Sequence, residues 1–121
     1  MDFCWITINV TDLEKSLSFY RDFLELDIDR RFKPNPDMEI VFLGKGETKV
    51  ELIFNKNNTI AIIGNDVSFG FKVKSLEEII RNCESKSITI QSGPFQPNPH
   101  IKFLYVTDPD GWKIQLVEEI V

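Results

Sequence analysis

The sequence predicts an α+β fold built from two copies of a β-α-β-β-β unit. A long internal repeat, two helix-start signals placed alike in both copies, and short β-branched runs parted by Gly and Pro turns carry that prediction. Ile8-Asn9-Val10-Thr11-Asp12-Leu13-Glu14-Lys15-Ser16-Leu17 aligns with Phe71-Lys72-Val73-Lys74-Ser75-Leu76-Glu77-Glu78-Ile79-Ile80, an offset of about 63 residues. Val50-Glu51-Leu52-Ile53 later aligns with Ile114-Gln115-Leu116-Val117 after one residue of slippage. A period this long in 121 residues means duplication of one supersecondary unit, since solenoids need several shorter repeats. Two such copies commonly pack about a pseudo-two-fold axis, which would set equivalent positions across one cleft.

Residues 3–10 read as a strand, with Cys4, Ile6, Ile8 and Val10 on an apolar face and Trp5, Thr7 and Asn9 on a mixed one. The first face suits packing under a helix, the second a cavity wall. Thr11-Asp12-Leu13-Glu14 supplies a capping-box pattern, with the Thr11 hydroxyl expected to cap. Leu13, Leu17, Tyr20, Phe23 and Leu24 then form one helical stripe. Residues 27–32, 38–43 and 48–54 are strands, separated by turns at Pro34-Asn35-Pro36-Asp37 and Gly44-Lys45-Gly46. Unit one therefore spans about residues 3–54, and 55–66 form a linker with room for a short strand at 60–63.

Unit two, about residues 67–119, repeats the order. A strand at 67–73 leads to the Ser75-Leu76-Glu77-Glu78 capping box and a helix to about Lys86. Strands follow at 88–91, 101–107 and 112–118. The segment from Ser92 to His100 holds three prolines and is expected to be a loop outside any sheet interior. Asp108-Pro109-Asp110-Gly111 is a turn, Pro fixing one corner and Gly allowing positive φ.

One domain of this size can bury a core without staples. A net charge of −5 and scattered Lys and Arg exclude non-specific nucleic-acid binding, which needs a basic footprint. Cys4 and Cys83 are far apart and read as reduced, half-buried thiols of a cytoplasmic protein. No apolar run has membrane-spanning length, and the N-terminus lacks the basic region of a signal peptide.

The duplicated unit, the Val10-Thr11-Asp12-Leu13-Glu14-Lys15-Ser16-Leu17-Ser18-Phe19-Tyr20 opening and the Asp108-Pro109-Asp110-Gly111-Trp112-Lys113-Ile114-Gln115-Leu116 ending resemble the vicinal oxygen chelate superfamily. That family includes glyoxalase I, extradiol dioxygenases and bleomycin-resistance proteins. The resemblance implies a curved, mixed eight-stranded sheet around a cleft, with helices on the outer face, and a homodimer. Metal-dependent members of the family place His or Glu at four points, on the first and last strands of each unit. Carried over, those points fall on Trp5, Glu51, Ser68 and Gln115. Trp offers no lone pair, and Ser and Gln are neutral oxygens suited at most to a hard ion. The expected state is therefore free of a cofactor, with a weakly held divalent metal on Glu51 as the exception.

Glu51 reads as a cleft carboxylate, either a general base or a ligand anchor, against the plainer alternative of a surface ion pair with Lys49 or Lys113. His100 is the only histidine, so imidazole acid–base chemistry would have to use it, although a loop histidine is more often simply exposed. Glu51 and His100 form the best acid–base couple the chain can assemble. Trp5, Thr7, Ser68, Gln115 and Tyr105 have the make-up of a small-molecule pocket, mainly apolar with a few placed polar groups. Arg30 and Arg31 suit either a ligand carboxylate or a surface role. Three functions stay open: binding of a small hydrophobic or aromatic molecule without a metal centre, a glyoxalase-like lyase with a divergent metal site on Glu51, or a metal-free lyase or isomerase using Glu51 and His100.

Overall fold

The computed structural model describes all residues from Met1 to Val121. It divides into two compact units, Met1–Ile62 and Ile63–Val121. The first contains β1 (Trp5–Val10), α1 (Leu13–Leu17), a wider π-type turn that continues α1 over Ser18–Phe23, β2 (Ile28–Asn35), β3 (Met38–Leu43) and β4 (Lys49–Asn55). The second contains β5 (Ser68–Lys72), α2 (Leu76–Ser85), β6 (Ile90–Asn98), β7 (Ile101–Thr107) and β8 (Lys113–Glu119). All eight expected strands form, and hydrogen bonding groups them four and four. The sheet orders are β1-β4-β3-β2 and β5-β8-β7-β6. In each sheet the first strand pairs in parallel with the last, and the other pairings are antiparallel.

Strand alternation gives each sheet a dry face and an open one. In the first unit, Ile8, Val10, Val41, Leu43, Val50 and Leu52 are buried together with Leu13, Leu17 and Tyr20 of the helical segment. In the second, Leu104, Val106, Ile114 and Leu116 are buried with Leu76, Ile79 and Cys83 of α2. Burial also pushes the Cys83 thiol up, away from the reactive thiolate.

Several local expectations need correction. Asp12, not Thr11, caps α1, its Oδ1 accepting from the Lys15 N–H at 3.1 Å. The helix begins at Leu13, so Asp12 is the residue with extended backbone at its threshold. The second cap falls on Ser75 as read, its Oγ accepting from the Glu78 N–H at 3.2 Å. Glu118 of β8 satisfies another free amide there, accepting from the Leu76 N–H at 2.7 Å. Residues 60–63 form no strand. Cys4 precedes β1 and is exposed rather than half-buried.

The largest correction concerns the proline-rich segment, which is mostly strand rather than loop. β6 runs to Asn98 at the edge of its sheet, where missing N–H groups can face away from the ladder. Its pairing with β7 shifts register between Ile90, Ser92, Phe95 and Asn98. Gly93 sits in one of these shifts with φ +94, and a Cβ there would lie 3.1 Å from the Leu104 Cα. Glycine permits both the conformation and the close approach.

Candidate functional site

The open face of the first unit is set by the β1–β4–β3 register. Trp5 stands beside Lys49, Thr7 beside Glu51, and Glu51 beside Phe42. Trp5 is 46% exposed and meets Phe42 edge-on at 5.1 Å between ring centroids. Arg30 of β2 lays its guanidinium over the same Phe42 ring, 4.4 Å from the centroid. Phe42 is thereby 3% exposed although it lies on the open side. The indole, braced against one ring, thus leaves nearly half of its surface open to solvent.

Glu51 is half-buried and accepts a hydrogen bond at Oε1 from the Thr7 hydroxyl. It forms no ion pair, so the surface-pair reading with Lys49 or Lys113 does not hold. Lys49 donates instead to the Gly46 carbonyl at 3.0 Å. Below Trp5 an open hollow of about 440 Å³ is lined by Cys4, Trp5, Asp29, Arg30, Glu47 and Lys49, among others. Arg31 points to the other face, where its guanidinium bonds Glu39 at 2.6 Å and Glu14 at 3.3 Å. That contact raises the Arg31 pKa and holds the Glu39 carboxyl below its ordinary range. Of the two arginines, Arg30 belongs to the open face and Arg31 ties sheet to helix.

In the second unit the equivalent register sets Ser68 beside Lys113, Gly70 beside Gln115, and Gln115 beside Tyr105. Gln115 donates from Nε2 to the Tyr105 hydroxyl oxygen at 3.2 Å. Lys113 lies over the Tyr105 ring, its Nζ 4.2 Å from the centroid. Phe103 meets Tyr105 edge-on at 5.8 Å, and Phe95 follows at 5.5 Å from Phe103. His100 is exposed in the turn between β6 and β7, its backbone N–H donating to Asn98 Oδ1 at 2.8 Å.

Within the first unit Trp5, Thr7 and Glu51 thus share a face; within the second, Ser68, Gln115 and Tyr105 share one. Glu51 and His100 belong to different units. Sequence reasoning did not reach the Phe42 platform or the Lys113–Tyr105 stack. Both follow from register: alternation along β8 puts Lys113 on the Gln115 face, and β3–β4 pairing puts Phe42 beside Glu51.

The residues at the four family positions do not fit a transition-metal centre. Trp5 supplies no donor atom, and one Glu51 oxygen already accepts from Thr7. Ser68 and Gln115 are neutral, and the Gln115 amide nitrogen is committed to Tyr105. No three His, Cys, Asp or Glu side chains cluster to hold an ion. Zinc and nickel sites depend on imidazole, thiolate and carboxylate donors.

The family model for the glyoxalase/bleomycin resistance protein/dioxygenase superfamily matches residues 3–116. A probable lactoylglutathione lyase of Synechocystis is 30% identical over 121 residues, covering 92% of this chain and 90% of the relative. The lactoylglutathione lyase of Haemophilus influenzae is 28% identical, covering 92% and 87%. Among solved structures, the trypanothione-dependent glyoxalase I of Leishmania major is 25% identical with a TM-score of 0.85, covering 98% of this chain and 87% of its own. An antibiotic-binding protein from Streptomyces, TnmS3, shares the fold at 16% identity and a TM-score of 0.74, covering 99% and 97%. With the duplicated β-α-β-β-β unit and both end motifs in place, the chain belongs to the glyoxalase/bleomycin resistance protein/dioxygenase superfamily.

Proposed function

We propose that this chain binds a small hydrophobic or aromatic molecule through its open sheet faces, without the metal centre of its metal-dependent relatives. The observation that carries the reading is Trp5: a half-exposed indole braced by Phe42, at the strand position where the family resemblance implies a metal-binding His. Thr7, Glu51, Ser68, Gln115 and Tyr105 supply the few polar groups that orient a ligand against such a surface. Trp5 and Tyr105 offer area at low entropic cost, since each fixes only two side-chain torsions.

A second reading keeps chemistry on the same residues. The Thr7 hydroxyl holds one Glu51 oxygen, which fixes the carboxylate in place for work as a general base. In that reading Glu51, with His100 as its acid–base partner, performs a metal-free lyase or isomerase step. The names of the relatives suggest a third, lactoylglutathione lyase activity on a divergent metal site at Glu51, and the donor set argues against it. A homodimer and a reducing, cytoplasmic setting complete the proposal, the first supported by the exposed strand edges and the second by two free cysteines.

The test combines elemental analysis of the purified protein with a melting screen against small aromatics and divalent metals. A lactoylglutathione lyase assay with and without added Ni²⁺ or Zn²⁺ accompanies it. The reading expects no stoichiometric transition metal, thermal stabilisation by an aromatic compound, and loss of that stabilisation in Trp5→Ala. One metal per chain, removed by Glu51→Ala and accompanied by lyase turnover, would overturn it.

A further inference from the structure

The two open faces differ in charge, and that difference selects a ligand class. On the first, Arg30 sits on Phe42 with Asp29 approaching it at 4.0 Å, Lys49, the register equivalent of Lys113, is turned to the Gly46 carbonyl at 3.0 Å, and Glu51 occupies the neighbouring strand position. A ligand anion there would meet a carboxylate. On the second face, Lys113 forms no ion pair and is held over Tyr105. The other charges on that face, Lys72 and Glu119, neutralise each other at 3.5 Å. Lys113 is therefore an uncompensated cation in a chain of net charge −5.

Its surroundings are built for an anion with a flat body. The Tyr105 oxygen accepts from Gln115, which leaves the Tyr105 O–H as a donor to a ligand. Ser68 stands beside Lys113 in register on β5, across β8 from Tyr105. Next to it Gly70 carries no side chain; a Cβ there would stand 3.6 Å from Gln115 Oε1, so the backbone is bare beside the amide. A planar group can settle on that bare strip, with Phe103 and Phe95 extending the apolar surface beyond Tyr105.

We propose that the second unit's open face recognises an aromatic acid, its carboxylate held by Lys113 Nζ and the Tyr105 hydroxyl and its ring lying over Gly70 beside Gln115. The proposal rests on the reading of the chain as an aromatic-binding protein and adds the anionic group. Holding Lys113 on a ring beforehand reduces the side-chain freedom lost when it meets the carboxylate.

Calorimetric or NMR titration of the full chain with 2-naphthoate and its neutral isostere 2-naphthamide provides the test. Naphthoate should bind about tenfold more tightly, the scale of one charge-assisted hydrogen bond. The preference should shrink with added salt, vanish in Lys113→Met and fall in Tyr105→Phe. Gly70→Val should weaken both probes. Equal binding of the two probes by the wild type would overturn the acid while leaving the aromatic-binding reading intact. Absence of binding by either probe would remove both together. Should Lys113→Met fail to fold, the salt dependence and Tyr105→Phe decide: a naphthoate preference indifferent to both overturns the proposal.

Discussion

On β4, Glu51 stands between Thr7 and Phe42; on β8, Gln115 stands between Gly70 and Tyr105. The strand order, the parallel closing pair and the register of β1-β4-β3 and β5-β8-β7 are the same in the two units, and so is the buried side, where Leu52 corresponds to Leu116. The open sides have separated. One carries an indole, a bonded carboxylate, a compensated arginine and a lysine turned to a backbone carbonyl; the other carries a bare glycine, a neutral amide and a lysine laid over a tyrosine ring. A core position must fill a fixed volume against a helix, so both copies keep large aliphatic groups there. An open position meets only solvent or ligand, so each copy is free to take its own chemistry. Half the residues of each strand are thus free to diverge, while the buried half is held to its packing.

The comparison breaks most sharply if the two cores are unequal. Leu52→Ala and Leu116→Ala, both at fully buried sites, should each cost about 2–5 kcal/mol in chemical denaturation. A large loss at one and a small loss at the other would mean that one unit carries the stability of both. Next comes a feature of the second unit alone. The buried Asp108 carboxylate accepts from the backbone N–H of Asp110, Gly111 and Trp112 at 3.0, 2.9 and 2.8 Å. Asp108→Ala should cost about 2–3 kcal/mol, because three part-buried amides lose one shared acceptor. A cost below ~1 kcal/mol would show that water replaces it.

The register-equivalent pair Trp5 and Ser68 sharpens the contrast between the open faces. With half its surface already in solvent, Trp5→Ala should cost about 1–2 kcal/mol, below the range of a buried aromatic. Ser68→Ala should stay within about 0.5 kcal/mol. A Trp5→Ala loss of 3–5 kcal/mol would assign the indole to the core and remove it from ligand binding. The smallest effect is electrostatic and belongs to the first unit. Arg31 lowers the Glu39 pKa through a direct hydrogen bond, so the folded state holds that carboxylate ionised more strongly than the unfolded chain does. The contribution is present in full above the ordinary Glu range and is lost as pH falls through the lowered value. With Arg31 partly exposed, Glu39→Gln should cost only about 0.5 kcal/mol at neutral pH and nothing in strong acid, measured by denaturation at both.

Much of this was legible before any coordinates. Alternation along residues 5–10 separates Ile8 and Val10 from Thr7 and Asn9, and the fold partitions them that way. The repeat fixed which strand follows which, because two copies of one pattern must form two copies of one sheet. Local chemistry was harder to read. Thr11 and Asp12 are both good caps, and only the position of the first helical turn chooses between them. The 92–98 segment read as a loop because proline argues against a sheet interior, and nothing in the sequence says that this strand lies at an edge. Cation–ring contacts such as Arg30 on Phe42 join strands whose pairing has to be known first.

Those edge prolines bear on how a duplicated chain avoids confusing its own halves. Two copies of one sheet in a single polypeptide present interchangeable partners while it folds, and a strand from one copy can pair with the wrong neighbour. The outermost strands are the easiest to exchange, since each is held along one side only. β2 meets β3 through an unbroken run from Arg30 to Phe32, whereas β6 meets β7 only at Ile90, Ser92, Phe95 and Asn98. Pro94 and Pro97 cannot donate along a ladder, so β6 laid against β3 would forfeit bonds that β2 makes there. The irregular edge of β6 thus fits β7 better than it would fit β3, which favours that outer strand staying with its own sheet.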